Sequence, residues 1–148
     1  MINTLAQAGA RLAEPRWTAA ALKAAEIICS ETIQPSGKLW RIALNGAASI
    51  NGQLEDYANL IEGLVALFDA QQSTGERDLS AANANLGQQL GKESDKNASG
   101  WLARAQALTD TMIDEFWDPS QDGFFLSPRE QVGPRLTCSK SASDGATL

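Results

Sequence analysis

Histidine is absent from this chain of 148 residues, and cysteine is scarce. Cys29 lies in the apolar run 27–29 and Cys138 in a polar tail, so the two form no Cys-x-x-Cys pattern. The chain therefore lacks the usual proton shuttle of neutral pH and lacks a poised dithiol. A disulfide between the two is one alternative, but the settings favour one buried and one exposed thiol in a reducing compartment.

Long apolar runs and basic clusters are also missing. No stretch approaches the roughly 18 apolar residues of a membrane span, and no basic segment leads into an apolar one at the start. We predict a cytoplasmic protein without a membrane partner. Eighteen acidic residues against twelve basic ones give a net charge of −6, which argues against nucleic acid as a partner.

Motifs for metals and cofactors are incomplete or absent. The order Asp118-x-Ser120-x-Asp122-Gly123 imitates the first half of a calcium loop, but the position of the final bidentate Glu is Arg129. Zinc spacings, phosphate-binding glycine loops and nucleophile elbows are not found. The sequence therefore predicts a turn at 118–123, no metal site and no cofactor.

Two stretches of the chain copy each other. The first runs from Arg16-Trp17 through a helical pattern to a Pro/Gly turn at 34–37, and the second from Gly100-Trp101 to a similar turn at 118–123. Extended segments follow both turns. Such repetition is typical of stacked or toroidal helical architectures, because one unit cannot bury its apolar face alone.

Helical spacing of apolar residues predicts two antiparallel helical hairpins, with Pro15 in a first turn. One hairpin pairs residues 2–12 with 16–33, and the other pairs 54–72 with 101–117. Short extended pieces are expected at 38–50 and 124–126.

The remaining segments are polar. Residues 75–99 resemble an insertion that is poorly ordered or thinly helical, and 127–148 resemble an irregular tail. We predict one all-α domain over residues 1–148.

Four motifs carry a resemblance to a known family. They are Leu54-Glu55-Asp56-Tyr57 with the residues up to Leu64, Phe116-Trp117-Asp118, Gly123-Phe124-Phe125, and Ser143-Asp144-Gly145-Ala146. In order and spacing they resemble the thioredoxin-domain-containing family that includes the spermatogenesis-associated proteins of animals. The larger part of that family is an (α/α)6 toroid, similar to those of N-acylglucosamine 2-epimerase and the six-hairpin glycosidases. The resemblance implies an interior piece of a partial (α/α) toroid, without the thioredoxin-like domain, and a link to carbohydrate metabolism.

Asp56 is the first candidate for catalysis. A glycosidase needs two carboxylates about 5–9.5 Å apart, and Asp144 is the second candidate if the tail folds back over the helix ends. Tyr57 and Glu55 are candidates for binding a sugar. Each has a structural alternative: Asp56 as a helix N-terminal cap, Tyr57 as a core residue and Glu55 as a solvated group.

Three functions remain open at this point. In the first, the chain is a fragment of an (α/α)-toroid protein of carbohydrate-enzyme type that is inactive in isolation. Alternatively, it is an epimerase or glycosidase-like enzyme with a carbohydrate ligand, completed by self-association or by a chain that supplies missing segments. The third alternative is a non-enzymatic helical interaction module. The sequence does not decide whether the protein is an enzyme, and we expect self-association because an open ring exposes apolar helix faces.

Overall fold

The computed structural model describes residues 1–44, 46–81, 87–130 and 136, with side chains described outside 74–99. The helices are α1 (Ile2–Arg11), α2 (Pro15–Thr32), α3 (Leu54–Ala81) and α4 (Gly87–Phe116). The strands are β1 (Trp40–Leu44), β2 (Ala47–Asn51), β3 (Trp117–Asp118) and β4 (Gly123–Phe124). α1 packs on α2, α3 packs on α4, and α1 also packs on α3. The predicted pairing of the helices is confirmed.

The fully buried residues of α1 and α2 are all small. Ala6, Ala21 and Ala25 are fully buried, and Pro15 occupies the first turn of α2 as predicted. A Cβ atom added to Gly9 would lie 2.8 Å from the backbone nitrogen of Thr18 and would also overlap the Thr18 side chain. The helices of this hairpin therefore approach closely because glycine and alanine leave room for the backbones.

Large residues fill the second hairpin. Leu64 and Leu67 of α3 and Phe116 of α4 are fully buried, and Trp101 and Leu108 of α4 are nearly so. The apolar residues whose spacing predicts these two helices are therefore the residues that form the core of the hairpin.

Two antiparallel β-hairpins accompany the helices. β1 pairs with β2 so that Trp40 lies opposite Asn51, Ile42 opposite Ser49 and Leu44 opposite Ala47. Gly46, in the turn between them, has a φ of 75°. β3 pairs with β4 through Trp117 opposite Phe124 and Asp118 opposite Gly123.

The predicted fold class, all-α with a partial (α/α) toroid, is wrong. Helices and antiparallel β-hairpins are both present, and the described residues form two helical hairpins without a toroid. The segment 38–50, predicted as a single extended piece, folds back on itself. Asn45-Gly46 is a dipeptide typical of two-residue hairpin turns, and its signal accounts for the reversal.

The polar stretch that separates the predicted ends of α3 and α4 has helical backbone up to Ala81 and again from Gly87. Trp101 therefore lies inside α4 and does not open it, unlike Trp17 near the start of α2. Most residues of this stretch are good or neutral helix formers, and extending an existing helix costs far less than nucleating one. The insertion at 75–99 and the tail at 127–148 stay predictions, since most of the tail lies outside the described residues.

Candidate functional site

Asp56 lies in the first turn of α3 and closes that helix end. Its Oδ2 accepts a hydrogen bond of 2.8 Å from the backbone N–H of Gln53, while its own N–H donates to the Gln53 carbonyl at 3.0 Å. An acidic side chain that reaches back to the residue before the helix is half of a capping box. The carboxylate also lies 3.4 Å from Nη1 of Arg41 in β1. Asp56 thus joins the β1–β2 hairpin to the start of α3.

Glu55 shares the same arginine. Its Oε1 accepts a bond of 2.8 Å from Nη2 of Arg41, and 66% of the Glu55 side chain is exposed. The hydrogen bond to Glu55 and the charge of Asp56 together raise the pKa of the Arg41 guanidinium above its usual value. The three groups form a charged cluster at the surface, where solvent screens the attraction between a single pair of charges.

Tyr57 is buried beneath that cluster, with 2% of its surface exposed. Its hydroxyl oxygen accepts a bond of 2.8 Å from the backbone N–H of Leu39, and its ring meets Phe116 edge to face at 5.3 Å. Burial raises the pKa of the Tyr57 hydroxyl, and the bond from Leu39 offsets part of this increase. This is the setting of a core tyrosine with a satisfied hydroxyl.

The second predicted carboxylate, Asp144, lies outside the described residues. The catalytic roles of Asp56 and Asp144, and the binding roles of Tyr57 and Glu55, therefore stay predictions.

The calcium-like segment forms a turn, as predicted. Oδ1 of the buried Asp118 accepts bonds from the N–H of Ser120 at 3.0 Å and from its hydroxyl at 2.6 Å. These bonds hold the connection between β3 and β4. Within the described part of the chain, no three His, Cys, Asp or Glu side chains come together as metal ligands. Its helices include none that is both long and apolar enough to cross a membrane.

A groove of about 360 Å³ lies between one face of α2 and α4. It is lined by Glu26, Cys29, Ser30, Ile33 and Arg104. Cys29 is a buried free thiol whose pKa is raised by burial, and the charge and hydrogen bond of Arg104 oppose that increase. Cys29 is 7% exposed and belongs to the buried core, where a thiol packs as a small apolar group.

Arg104 also lies over the ring of Trp101, with the guanidinium carbon 5.0 Å from the ring centre. A guanidinium stacked on an aromatic face is held in place by a cation–π interaction. Arg104 therefore forms one wall of the groove beside Trp101.

The chain is similar to Spermatogenesis-associated protein 20 of Mus musculus. The two are 28% identical over 155 residues, a match that covers 99% of this chain and 16% of the mouse protein. The chain thus corresponds to a small part of the length of this relative. No protein-family model and no solved structure matches it. The similarity supports the predicted resemblance as far as the spermatogenesis-associated proteins, and it does not extend to the epimerase and glycosidase toroids.

The cations of these sites are absent from the sequence predictions. Three cations each contact a group that is distant along the chain: Arg41, Lys38 and Arg104. The spacing of apolar residues, from which the helices are predicted, does not reveal such partners. The acidic pair Glu55-Asp56 at a predicted helix start is the one signal that anticipates a nearby cation, although it does not say which residue supplies it.

Proposed function

We propose that this chain is a non-enzymatic helical interaction module, of the kind that forms one part of a longer protein related to Spermatogenesis-associated protein 20. The observation that carries the proposal is an uncharged face of the β1–β2 hairpin, called here the β1 face. It consists of Trp40, Ile42 and Leu44 and the residues opposite them, Asn51, Ser49 and Ala47.

The β1 face is open to solvent along most of its length. Ile42 is 43% exposed and Leu44 is 68% exposed. On the other face of the hairpin, Arg41 is held by Glu55 and Asp56 against the start of α3. A two-stranded sheet is marginally stable alone and normally has an apolar face covered by another layer.

The partner that suits this face is an apolar polypeptide surface. The face carries no charge, so two copies can meet there without placing like charges opposite each other, despite the net charge of −6. In a longer protein, a neighbouring segment would take the same place. We therefore expect the isolated chain to associate with itself through the β1 face.

The sugar-processing alternative has less support. Asp56 is already engaged by the Gln53 N–H and by Arg41, and Tyr57 is buried with its hydroxyl bonded. A general acid or base must reach the proton it transfers, whereas these groups serve the helix end and the core.

Light scattering coupled to size-exclusion chromatography, over a range of protein concentrations, tests the docking role. We expect a dimer or larger species in the wild type and a monomer in Ile42→Lys. Ile113→Lys is a matched control, because Ile113 is 44% exposed and belongs to α4 rather than to the β1 face. A monomeric wild type at all concentrations, or equal loss of mass in both variants, would contradict self-association through this face.

A separate assay tests the absence of catalysis. Purified protein is incubated with a panel of mono- and disaccharides, and we expect no epimerisation or hydrolysis. Turnover that disappears in Asp56→Asn while the circular dichroism spectrum is retained would overturn the non-enzymatic part of the proposal.

A further inference from the structure

Residues 125–130, called here the strap, follow β4 and join the ends of two helices. The N–H of Phe125 donates to the carbonyl of Phe116, the last residue of α4, at 2.8 Å. The carbonyl of Leu126 accepts from the N–H of Leu54, the first residue of α3, at 3.1 Å. Backbone groups at helix ends have no partner within their own helix. One short segment therefore satisfies both the start of α3 and the end of α4.

The far end of the strap is held by charge. Oε1 of Glu130 lies 2.9 Å from Nζ of Lys38, which also lies 3.2 Å from Oε1 of Glu115 in the last turn of α4. That turn has no basic residue of its own, although a cation is favourable at a helix C-terminus. Lys38, from the loop between α2 and β1, supplies this cation to α4 and binds the strap with the same ammonium group.

Burial along the strap is uneven. Ser127 and Pro128 are buried and Phe125 is half-buried, but Leu126 is 43% exposed and 66% of the Glu130 side chain is exposed. The residues that stabilise the second hairpin lie elsewhere: Leu64, Leu67 and Phe116 are fully buried in the helices themselves.

We propose that the strap opens and closes as a unit while α3 and α4 stay folded, and that Lys38 is the latch that sets its open population. Segments with few buried apolar contacts open at lower free energy than the core around them. Opening frees the N–H of Leu54 and the carbonyl of Phe116 together, beside the Tyr57–Phe116 ring pair. Salt and loss of the Lys38 charge both weaken the latch, since it is an ion pair near the surface. This inference is independent of the docking role of the β1 face.

Native-state hydrogen exchange, followed by nuclear magnetic resonance, tests the strap. The amides of Leu54 and Phe125 report on its opening, and those of Leu64 and Leu67 report on the core. In the wild type we expect Leu54 and Phe125 to exchange at similar rates, faster than the core amides, and to exchange faster still in high salt. Lys38→Met should raise both rates about two- to fivefold, the range of a partly exposed ion pair, and should raise the core rates by no more than the same factor, because complete unfolding also breaks this pair.

Lys23→Met is the matched control, because Lys23 is an exposed lysine of α2 away from the strap. It should leave the exchange of Leu54 and Phe125 as in the wild type. If Lys38→Met does not fold, Glu130→Gln removes the other partner at an exposed position. Exchange of Leu54 and Phe125 at the core rate in the wild type, or variants at Lys38 and Glu130 that leave the exchange of Leu54 and Phe125 unchanged, would each overturn the proposal.

Discussion

The two helical hairpins are packed through side chains of different size. The α1–α2 hairpin is packed through alanine and glycine, with Ala6, Ala21 and Ala25 fully buried and Gly9 against the backbone of Thr18. The α3–α4 hairpin is packed through Leu64, Leu67, Trp101, Leu108 and Phe116. Alanine buries little apolar area, whereas leucine and aromatic side chains bury a great deal.

Because of this difference, each hairpin is destabilised by a different kind of substitution. The second hairpin depends on the volume of a few large side chains, so it is sensitive to their truncation. The first depends on close approach of two backbones, so it is sensitive to the addition of a single methyl group. α1 contacts both α2 and α3, and damage to either packing mode therefore reaches the other hairpin.

Truncation of Phe116 should have the largest effect on stability. Its side chain is fully buried and meets Tyr57 edge to face, so Phe116→Ala leaves a cavity at the end of α4. We expect the free energy of unfolding in denaturant to fall by about 3–5 kcal/mol. Val65→Ala on the exposed side of α3, where Val65 is 37% exposed, is the control and should cost less than about 1 kcal/mol. Similar losses in both variants would contradict the view that the second hairpin rests on a few large residues.

Gly9→Ala should destabilise the α1–α2 hairpin. The new methyl group would meet the backbone nitrogen of Thr18 at 2.8 Å, and backbone cannot move aside as a flexible side chain does. The expected loss is about 2–3 kcal/mol, toward the upper end of the usual cost of overpacking. Gly100→Ala makes the same change within α4, where nothing lies within 4 Å of the added atom. That control should gain about 0.5–1 kcal/mol from helix propensity, and a loss there as large as at Gly9 would refute the packing argument.

Much of this helical arrangement could be predicted from the sequence. The apolar spacing around Leu64, Leu67 and Leu108 places the second hairpin core, and Pro15 places the start of α2. The limits of α3 and α4 were harder, because the polar residues beyond Gln72 carry no apolar period although they are compatible with helix. The Asn45-Gly46 dipeptide indicates a hairpin turn between β1 and β2, but the apolar residues around it are equally compatible with one short extended piece.

The candidate site was predictable only in part. The acidic residues at the start of α3 signal a helix cap, and Asp56 does bond back to Gln53. The cation that joins them, Arg41, comes from a strand whose register fixes its position, and register is a property of the folded hairpin. The groove around Cys29 likewise depends on how far Arg104 reaches from α4.

Tyr57 should make stability depend on pH in the alkaline range. Its pKa is raised above the usual value of 10.0 in the folded state, chiefly by burial, so the folded state holds this proton more tightly than the unfolded state. The stability that it contributes is fully present below about pH 10 and is lost as pH rises through the folded pKa. Tyr57 is the sole tyrosine of the chain, so tyrosinate absorbance reports on it alone.

Tyr57→Phe serves as the control for that titration. It leaves the buried N–H of Leu39 without its acceptor, at a cost of about 1–2 kcal/mol at neutral pH. The variant should lose part of the alkaline dependence and keep the part due to Lys38, whose pKa is also raised, chiefly by its hydrogen bond to Glu130. A normal tyrosine titration in the folded wild type would contradict the buried position of Tyr57.

Substitution of Asp56 should have the smallest effect, and it separates a helix cap from a surface charge. Asp56→Ala removes the acceptor for the Gln53 N–H and one contact of Arg41, so we expect a loss of about 1 kcal/mol in urea unfolding. Glu55→Gln weakens the ion pair with the same arginine but leaves the cap, and it should cost less than about 0.5 kcal/mol. Asp56→Asn keeps an oxygen that can accept the Gln53 hydrogen bond and should fall between the two. If Asp56→Ala proves neutral or stabilising, the carboxylate is not serving α3 as a cap, and a role outside stability becomes the better explanation for its position.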